Sequence, residues 1–227
     1  MNRTILWPLL VLLAFIFAPT TNAQQSAQKK WEPEIQQFEK SDKENPPPKG
    51  AVLFIGSSSI RMWKSLSEDF PGIKVINRGF GGSQIADSTF YVDRLVTPYR
   101  PRMIVFYAGD NDLFDGKTPQ QVLDDYKAFV SRVRLKLPST KIAFISIKPS
   151  PARASIIDKM RQANALIRNY SSHEKRLLFI DVFTPMLGKD GNPRPELFGP
   201  DRLHMNGQGY ELWKSVVAPY LISKPLK

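Results

Sequence analysis

Short apolar runs alternate with amphipathic stretches along this chain, and that alternation limits the fold more than any other feature. Residues 51–55 read Ala-Val-Leu-Phe-Ile, 103–107 Met-Ile-Val-Phe-Tyr, 142–146 Ile-Ala-Phe-Ile-Ser and 177–180 Leu-Leu-Phe-Ile, with a shorter run, Lys-Val-Ile-Asn, at 74–77. Runs this short and this continuously apolar suit strands covered on both faces, as in a parallel sheet. Between them, Val122, Tyr126, Phe129, Val133 and Leu137 recur at helical spacing, as do Ile156, Met160, Ala163, Ile167 and Tyr170. Both sets predict helices with one apolar side turned to the core. Ile85, Val92 and Leu95 make a weaker stripe. Tyr210, Trp213 and Val217 open a last helix that Pro219 should disturb. Strands alternating with helices predict an α/β fold, a five-stranded, mostly parallel sheet covered on both faces.

Ligands of such sheets bind beyond the carboxyl ends of the strands, and small polar residues collect there. Gly56-Ser57-Ser58-Ser59 follows the first run, and residues 77–83, Asn-Arg-Gly-Phe-Gly-Gly-Ser, end the second. Ala108-Gly109-Asp110-Asn111-Asp112 follows the third and Lys148-Pro149-Ser150 the fourth; Asp201-Arg202-Leu203-His204 lies near the C-terminus.

Composition narrows the chemistry. The 227 residues are 42% hydrophobic and 23% charged, which excludes a disordered tail or a coiled coil. With no cysteine there are no disulfides, thiolate zinc sites or thiol nucleophiles. Only His173 and His204 can supply an imidazole. His173 ends a helical stripe in a charged, solvated context, whereas His204 stands three residues after Asp201. A serine hydroxyl needs an imidazole to take its proton and a carboxylate to orient that imidazole. Ser58, Asp201 and His204 could supply this set. Ser58 sits where a strand turns into a helix, whose N–H groups favour an oxyanion. Gly82 allows close backbone approach, and Asn111 offers a side-chain amide as a further donor.

These loops resemble, in order, the four blocks of the SGNH (GDSL-type) hydrolase superfamily. Gly56-Ser57-Ser58 is similar to the Gly-Asp-Ser block, and Gly82 matches the glycine of the second. Gly109-Asp110-Asn111-Asp112 matches Gly-x-Asn-Asp, and Asp201-Arg202-Leu203-His204 matches Asp-x-x-His. The resemblance implies a flavodoxin-like three-layer α/β/α sandwich that hydrolyses esters or thioesters without metal or other cofactor. It implies Ser58 as nucleophile, His204 and Asp201 as its partners, and an oxyanion hole of Ser58, Gly82 and Asn111. Two positions depart from the pattern. Ser57 replaces the usual Asp, leaving Ser57, Ser58 and Ser59 as rivals by sequence until register with the family selects Ser58. Met205 replaces the Pro that often follows the histidine, a change expected to alter loop stiffness. Asp112 is expected to brace its loop, and Arg61 and Trp63 to pack on the nucleophile's helix. Lys148, Ser150 and Arg153 are candidates for gripping a substrate group.

The N-terminus has the anatomy of a secretory signal: Arg3, an apolar run over 5–17, and Thr21 and Ala23 at small-residue positions before a cut after Ala23. The run is shorter than the ~20 residues that span a bilayer. The expected plan is a signal over 1–23, a helical extension with a Pro-rich linker over 24–49, and a hydrolase domain over 50–227. A periplasmic or secreted bacterial setting follows, with no membrane span once the signal is cut. The formal charge of +11 is spread along the chain, with no nucleic-acid motif; it reads as a solvated surface or as attraction to anionic envelope material. The expected partner is a small-molecule or glycan ester, with O-acetylated glycans, lysophospholipids and small acyl esters all open, so that the activity expected is that of a carbohydrate O-acetyl esterase or a lysophospholipase. Two other readings fit the same sheet. One is a non-catalytic envelope- or carbohydrate-binding module, which an intact Ser58–His204–Asp201 set argues against. The other is a flavin carrier cradling phosphate at residues 56–59.

Overall fold

The structure, a computed structural model, describes residues 30–222, so the signal expected over 1–23 lies outside the described residues. Five strands form one sheet: β1 Val52–Gly56, β2 Val75–Gly79, β3 Met103–Tyr107, β4 Lys141–Ile145 and β5 Leu177–Ile180, in the order β2-β1-β3-β4-β5. Every neighbouring pair is parallel, so the sheet is wholly rather than mostly parallel. The chain moves outward from β1 to β2, then crosses back to β3. The ends of β1 and β3 therefore flank the point where the connection reverses, and Gly56 pairs with both Gly79 and Tyr107 there.

Side chains alternate between the two faces of each strand, and each face has its own core. Leu53, Ile55, Ile104, Phe106, Ile142 and Phe144 point into one. Helices α1 (Glu32–Glu44), α4 (Ile85–Phe90), α5 (Val92–Leu95), α7 (Pro119–Arg134) and α8 (Ile157–His173) supply its cover. Val52, Phe54, Met103, Val105 and Ile145 point into the other, under α2 (Ser58–Arg61), α3 (Leu66–Asp69) and α9 (Gly207–Ile222). The result is a flavodoxin-like three-layer α/β/α sandwich. Aromatic rings fill both halves. Phe106 stacks on Phe129 with centroids 4.2 Å apart, and Trp63 meets Trp213 edge to face at 5.9 Å. Truncating any of these to alanine is expected to cost about 3–5 kcal/mol.

The helices depart from the sequence reading in two places. The weak stripe over residues 85–95 is two short helices, α4 and α5, separated at Tyr91. The last helix continues through Pro219 to Ile222. That proline has no N–H to bond the carbonyl four residues back, and the helix absorbs the loss of this one hydrogen bond. No helix among the described residues is long and apolar enough to cross a membrane.

Candidate active site

Ser57 is extended (φ −84°, ψ −165°) and caps α2, and Ser58 is the first residue of that helix. The Ser57 N–H donates to the Tyr107 carbonyl at 2.9 Å, so the turn is pinned to the end of β3. The three rival serines separate by burial. Ser57 and Ser59 are 1% and 2% exposed, while Ser58 is partly open to solvent. Ser58 Oγ lies 3.0 Å from His204 Nε2. His204 Nδ1 lies 2.6 Å from Asp201 Oδ2. With the Nδ1 proton donated to Asp201, Nε2 is left to accept from the Ser58 hydroxyl.

The loop bearing Asp201 and His204 is held by its own backbone. Asp201 Oδ1 accepts from the Leu203 and His204 N–H groups, both at 3.0 Å. The Leu203 N–H, then the His204 ring and backbone N–H, hold the Asp201 carboxyl down at about 2. Arg202 takes the left-handed conformation (φ 56°) that this tight spacing requires. Met205, expected to change loop stiffness, is an anchor: its side chain is buried in the core beneath α9. Its backbone bridges Phe198.

Asn111 is the second residue of a short helix, α6 (Asp110–Phe114), after β3. Its Nδ2 donates to Ser57 Oγ at 2.9 Å and to the Ser83 carbonyl at 3.0 Å. The amide thus reaches the neighbour of Ser58 and the loop that follows β2. In that loop Gly82 is exposed and has φ +73°. The loop is also tied from outside the sheet. Trp31, just ahead of α1, donates its indole N–H to the Gly81 carbonyl at 2.8 Å and meets Phe80 edge to face. No local sequence pattern points to this bond, because its partner lies 50 residues away.

Asp112 braces the same region. It is fully buried and accepts from the Ile85 N–H, at 3.3 Å, and from Lys117 Nζ, at 2.8 Å. Nearby Asp87, also buried, accepts from the Gln84 N–H at 2.8 Å. Burial, with the Asp112 carboxylate beside it, pushes the Asp87 carboxyl up to about 6 despite that N–H. The fold therefore favours neutral Asp87. Its contribution is complete below its ordinary pKa of 3.8 and is lost as the pH rises through about 6. Asp87→Asn, which stays neutral, is expected to gain about 2–3 kcal/mol on the wild type between pH 4 and pH 7. Denaturant unfolding of both proteins at the two pH values checks this, and a difference independent of pH would contradict it.

Lys148, Ser150 and Arg153 do not face outward to grip a substrate. Lys148 and Ser150 are 1% exposed and Arg153 is 8%. Lys148 Nζ and Arg153 Nη1 lie 3.4 and 3.2 Å from Asp110 Oδ2, beneath the site. Burial alone would push the Asp110 carboxyl up; Lys148 and Arg153 outweigh it and hold the group below the usual carboxylate range. Nothing in the local sequence separates such inward cations from solvated ones, since their partner belongs to a different loop. Arg61 is exposed, with its guanidinium laid against Gly81, while Trp63 is buried.

A partly exposed hydroxyl, an imidazole and an ionised carboxylate therefore stand in hydrogen-bonded series at the carboxyl end of a parallel sheet, with an amide donor on the adjacent loop. Such a set can pass a proton from hydroxyl to ring as the oxygen attacks a carbonyl.

Solved structures share this fold. A protein from Streptococcus pneumonia, provisionally assigned as a platelet activating factor, superposes with a TM-score of 0.75 at 20% identity, covering 88% of this chain and 96% of its own. A GDSL-like lipase from Bacteroides thetaiotaomicron gives 0.70 at 18% identity, with 82% and 96% covered. An acetyl xylan esterase, AlAXEase, gives 0.62 at 17% identity, with 76% and 100% covered. At these identities the likeness is one of fold. No curated protein matches the chain significantly by sequence. Residues 53–212, however, match the GDSL-like Lipase/Acylhydrolase family, a span that runs from β1 into the last helix and takes in the serine, amide and histidine loops alike. The chain belongs to the GDSL-like lipase/acylhydrolase family.

Proposed function

We propose that this protein is a serine ester hydrolase working through an acyl-enzyme on Ser58. The observation that carries this reading is the continuous hydrogen-bonded series from Asp201 through His204 to Ser58. Ser58 Oγ attacks the ester carbonyl as its proton passes to His204 Nε2. Asp201 orients the ring and stabilises the imidazolium. The Ser58 N–H, the Gly82 N–H and the Asn111 amide receive the oxyanion, which takes the place of Ser57 Oγ as one acceptor of Asn111 Nδ2. As the tetrahedral adduct collapses, the carbon–oxygen bond to the alcohol breaks and His204 returns the proton to the departing oxygen. Water, deprotonated by the same ring, then releases the acid and restores Ser58.

The favoured substrates are small acyl esters, such as O-acetyl groups on glycans. Structural neighbours that include an acetyl xylan esterase and an acetyl esterase support this reading. The segment over 1–23 would export the chain, bringing the site to envelope or extracellular esters. Hydrolysis of p-nitrophenyl esters from acetate to octanoate tests the proposal. The acetate ester is expected to be the best substrate, and Asn111→Ala is expected to lower its turnover about 10²–10³-fold. A preference for octanoate would redirect the assignment to lipid esters. Unchanged turnover in Asn111→Ala would remove the amide from the oxyanion hole.

A further inference from the structure

Asn111 can serve as an oxyanion donor only if its amide is held the right way round, because turning it by 180° would present oxygen to the anion. On the nitrogen side the Ser83 carbonyl accepts at 3.0 Å. On the oxygen side the contact is less ordinary. Arg153 Nη2 donates to Asn111 Oδ1 at 2.8 Å, and this arginine is 42 residues away and almost wholly buried.

A buried guanidinium is costly unless it is paired and hydrogen-bonded, and the surroundings of Arg153 are built to hold it. Nη1 lies 3.2 Å from the buried Asp110 carboxylate, next in sequence to Asn111. The Phe114 ring sits under the guanidinium, 4.7 Å from its carbon. The backbone of Arg153 leaves helical geometry within the 3₁₀ segment Pro151–Ile156 (φ −123°, ψ 26°). One residue earlier, the Ala152 N–H donates to the Arg202 carbonyl at 3.0 Å, tying this segment to the His204 loop. Lys148 Nζ lies 3.4 Å from the same carboxylate. The charged donor Arg153 lies on the oxygen side of the amide. It draws electron density away from Nδ2 and strengthens the N–H groups as donors.

We infer that Arg153 is a positioning residue for the oxyanion hole, fixing the orientation of the Asn111 amide and polarising its N–H groups without touching the substrate. This inference rests on the hydrolase reading above and extends it to a residue outside the four sequence blocks. It predicts a specific pattern of coupling. Arg153→Met is expected to lower kcat on p-nitrophenyl acetate about 10–100-fold with KM changed less than about twofold, because the loss is one of geometry at the reacting centre. Arg153→Lys, which keeps a charged donor, is expected to recover part of that loss. In an Asn111→Ala background, Arg153→Met is expected to change kcat by less than about twofold, since the amide through which it acts is gone.

The cycle of wild type, Arg153→Met, Asn111→Ala and the double variant is the test, with thermal melting of each protein as the check on folding. Equal losses from Arg153→Met in both backgrounds would overturn the inference, as would a raised KM at unchanged kcat, which would mark a direct substrate contact. Should Arg153→Met not fold, the same cycle with Arg153→Lys decides, its kcat loss vanishing in the Asn111→Ala background or persisting there. A wild type that hydrolyses the ester while the cycle is additive refutes only the role of Arg153. A wild type that hydrolyses none of the ester series refutes the hydrolase reading and this inference with it.

Discussion

Ser58→Ala is expected to lower ester hydrolysis by about 10⁴-fold or more, the scale on which loss of a serine nucleophile acts. The reason is local. Ser58 Oγ is the hydroxyl at hydrogen-bonding distance from His204 Nε2. Its neighbours are placed differently: Ser57 Oγ accepts from Asn111, and Ser59 is buried inside the fold at 2% exposure. His204→Ala is expected to match the loss, since serine and imidazole act as one unit. Neither change should unfold the protein, because both groups are partly exposed, and the one side-chain hydrogen bond lost with Ser58 and the two lost with His204 are worth ~1 kcal/mol net each. Steady-state kinetics and thermal melting together check both halves. Activity of Ser58→Ala within tenfold of the wild type would exclude it as the nucleophile.

The second large effect is structural. Gly56→Ala is expected to destabilise the protein by about 3–6 kcal/mol, from a left-handed backbone and forced overpacking together. Gly56 has φ +134°, and a methyl group there would lie 1.8 Å from the Tyr107 carbonyl oxygen. That oxygen cannot give way, because it accepts the Ser57 N–H that sets the turn into α2. The obstruction therefore falls where β1 hands over to Ser58, and it wedges β1 from β3. Against a total stability of about 5–15 kcal/mol, such a loss leaves little or no native protein. Gly207→Ala is the control. A methyl group there meets nothing within 4 Å, and a change within about 0.5 kcal/mol is expected. Urea denaturation separates the two. A Gly56→Ala protein as stable as the control would mean that β1 and β3 do not close on each other as described.

The same contacts explain how much could be read from sequence. The strands were legible because both faces of the sheet are covered, which turns each strand into an unbroken apolar run such as 51–55 or 103–107. Their ends were less so. β1 and β2 each extend to a glycine, Gly56 and Gly79, where close packing between backbones rather than strand propensity decides the pairing. Pro219 was read as a disturbance to its helix, yet the helix continues through it to Ile222. At the site, Ser58, Asn111, Asp201 and His204 were legible because each follows a strand or a tight turn, and their order resembles a known set of blocks. The direction of Lys148 and Arg153 was not. A cation in a loop points to solvent unless a buried anion awaits it, and that anion, Asp110, sits 38 residues from Lys148. Trp31 illustrates the same limit from the other end of the chain. Its bond to Gly81 depends on β1 and β2, which lie between the two residues along the chain.

Ser58, rather than either adjacent serine, is expected to carry the acyl group. Reaction of the wild-type protein with a fluorophosphonate, followed by tryptic digestion and fragmentation mass spectrometry of the peptide over 50–61, tests it most directly, because that single peptide holds all three serines. One adduct is expected, on Ser58, and it should fail to form in His204→Ala. An adduct on Ser57 or Ser59, or no adduct in protein that hydrolyses p-nitrophenyl acetate, would contradict it.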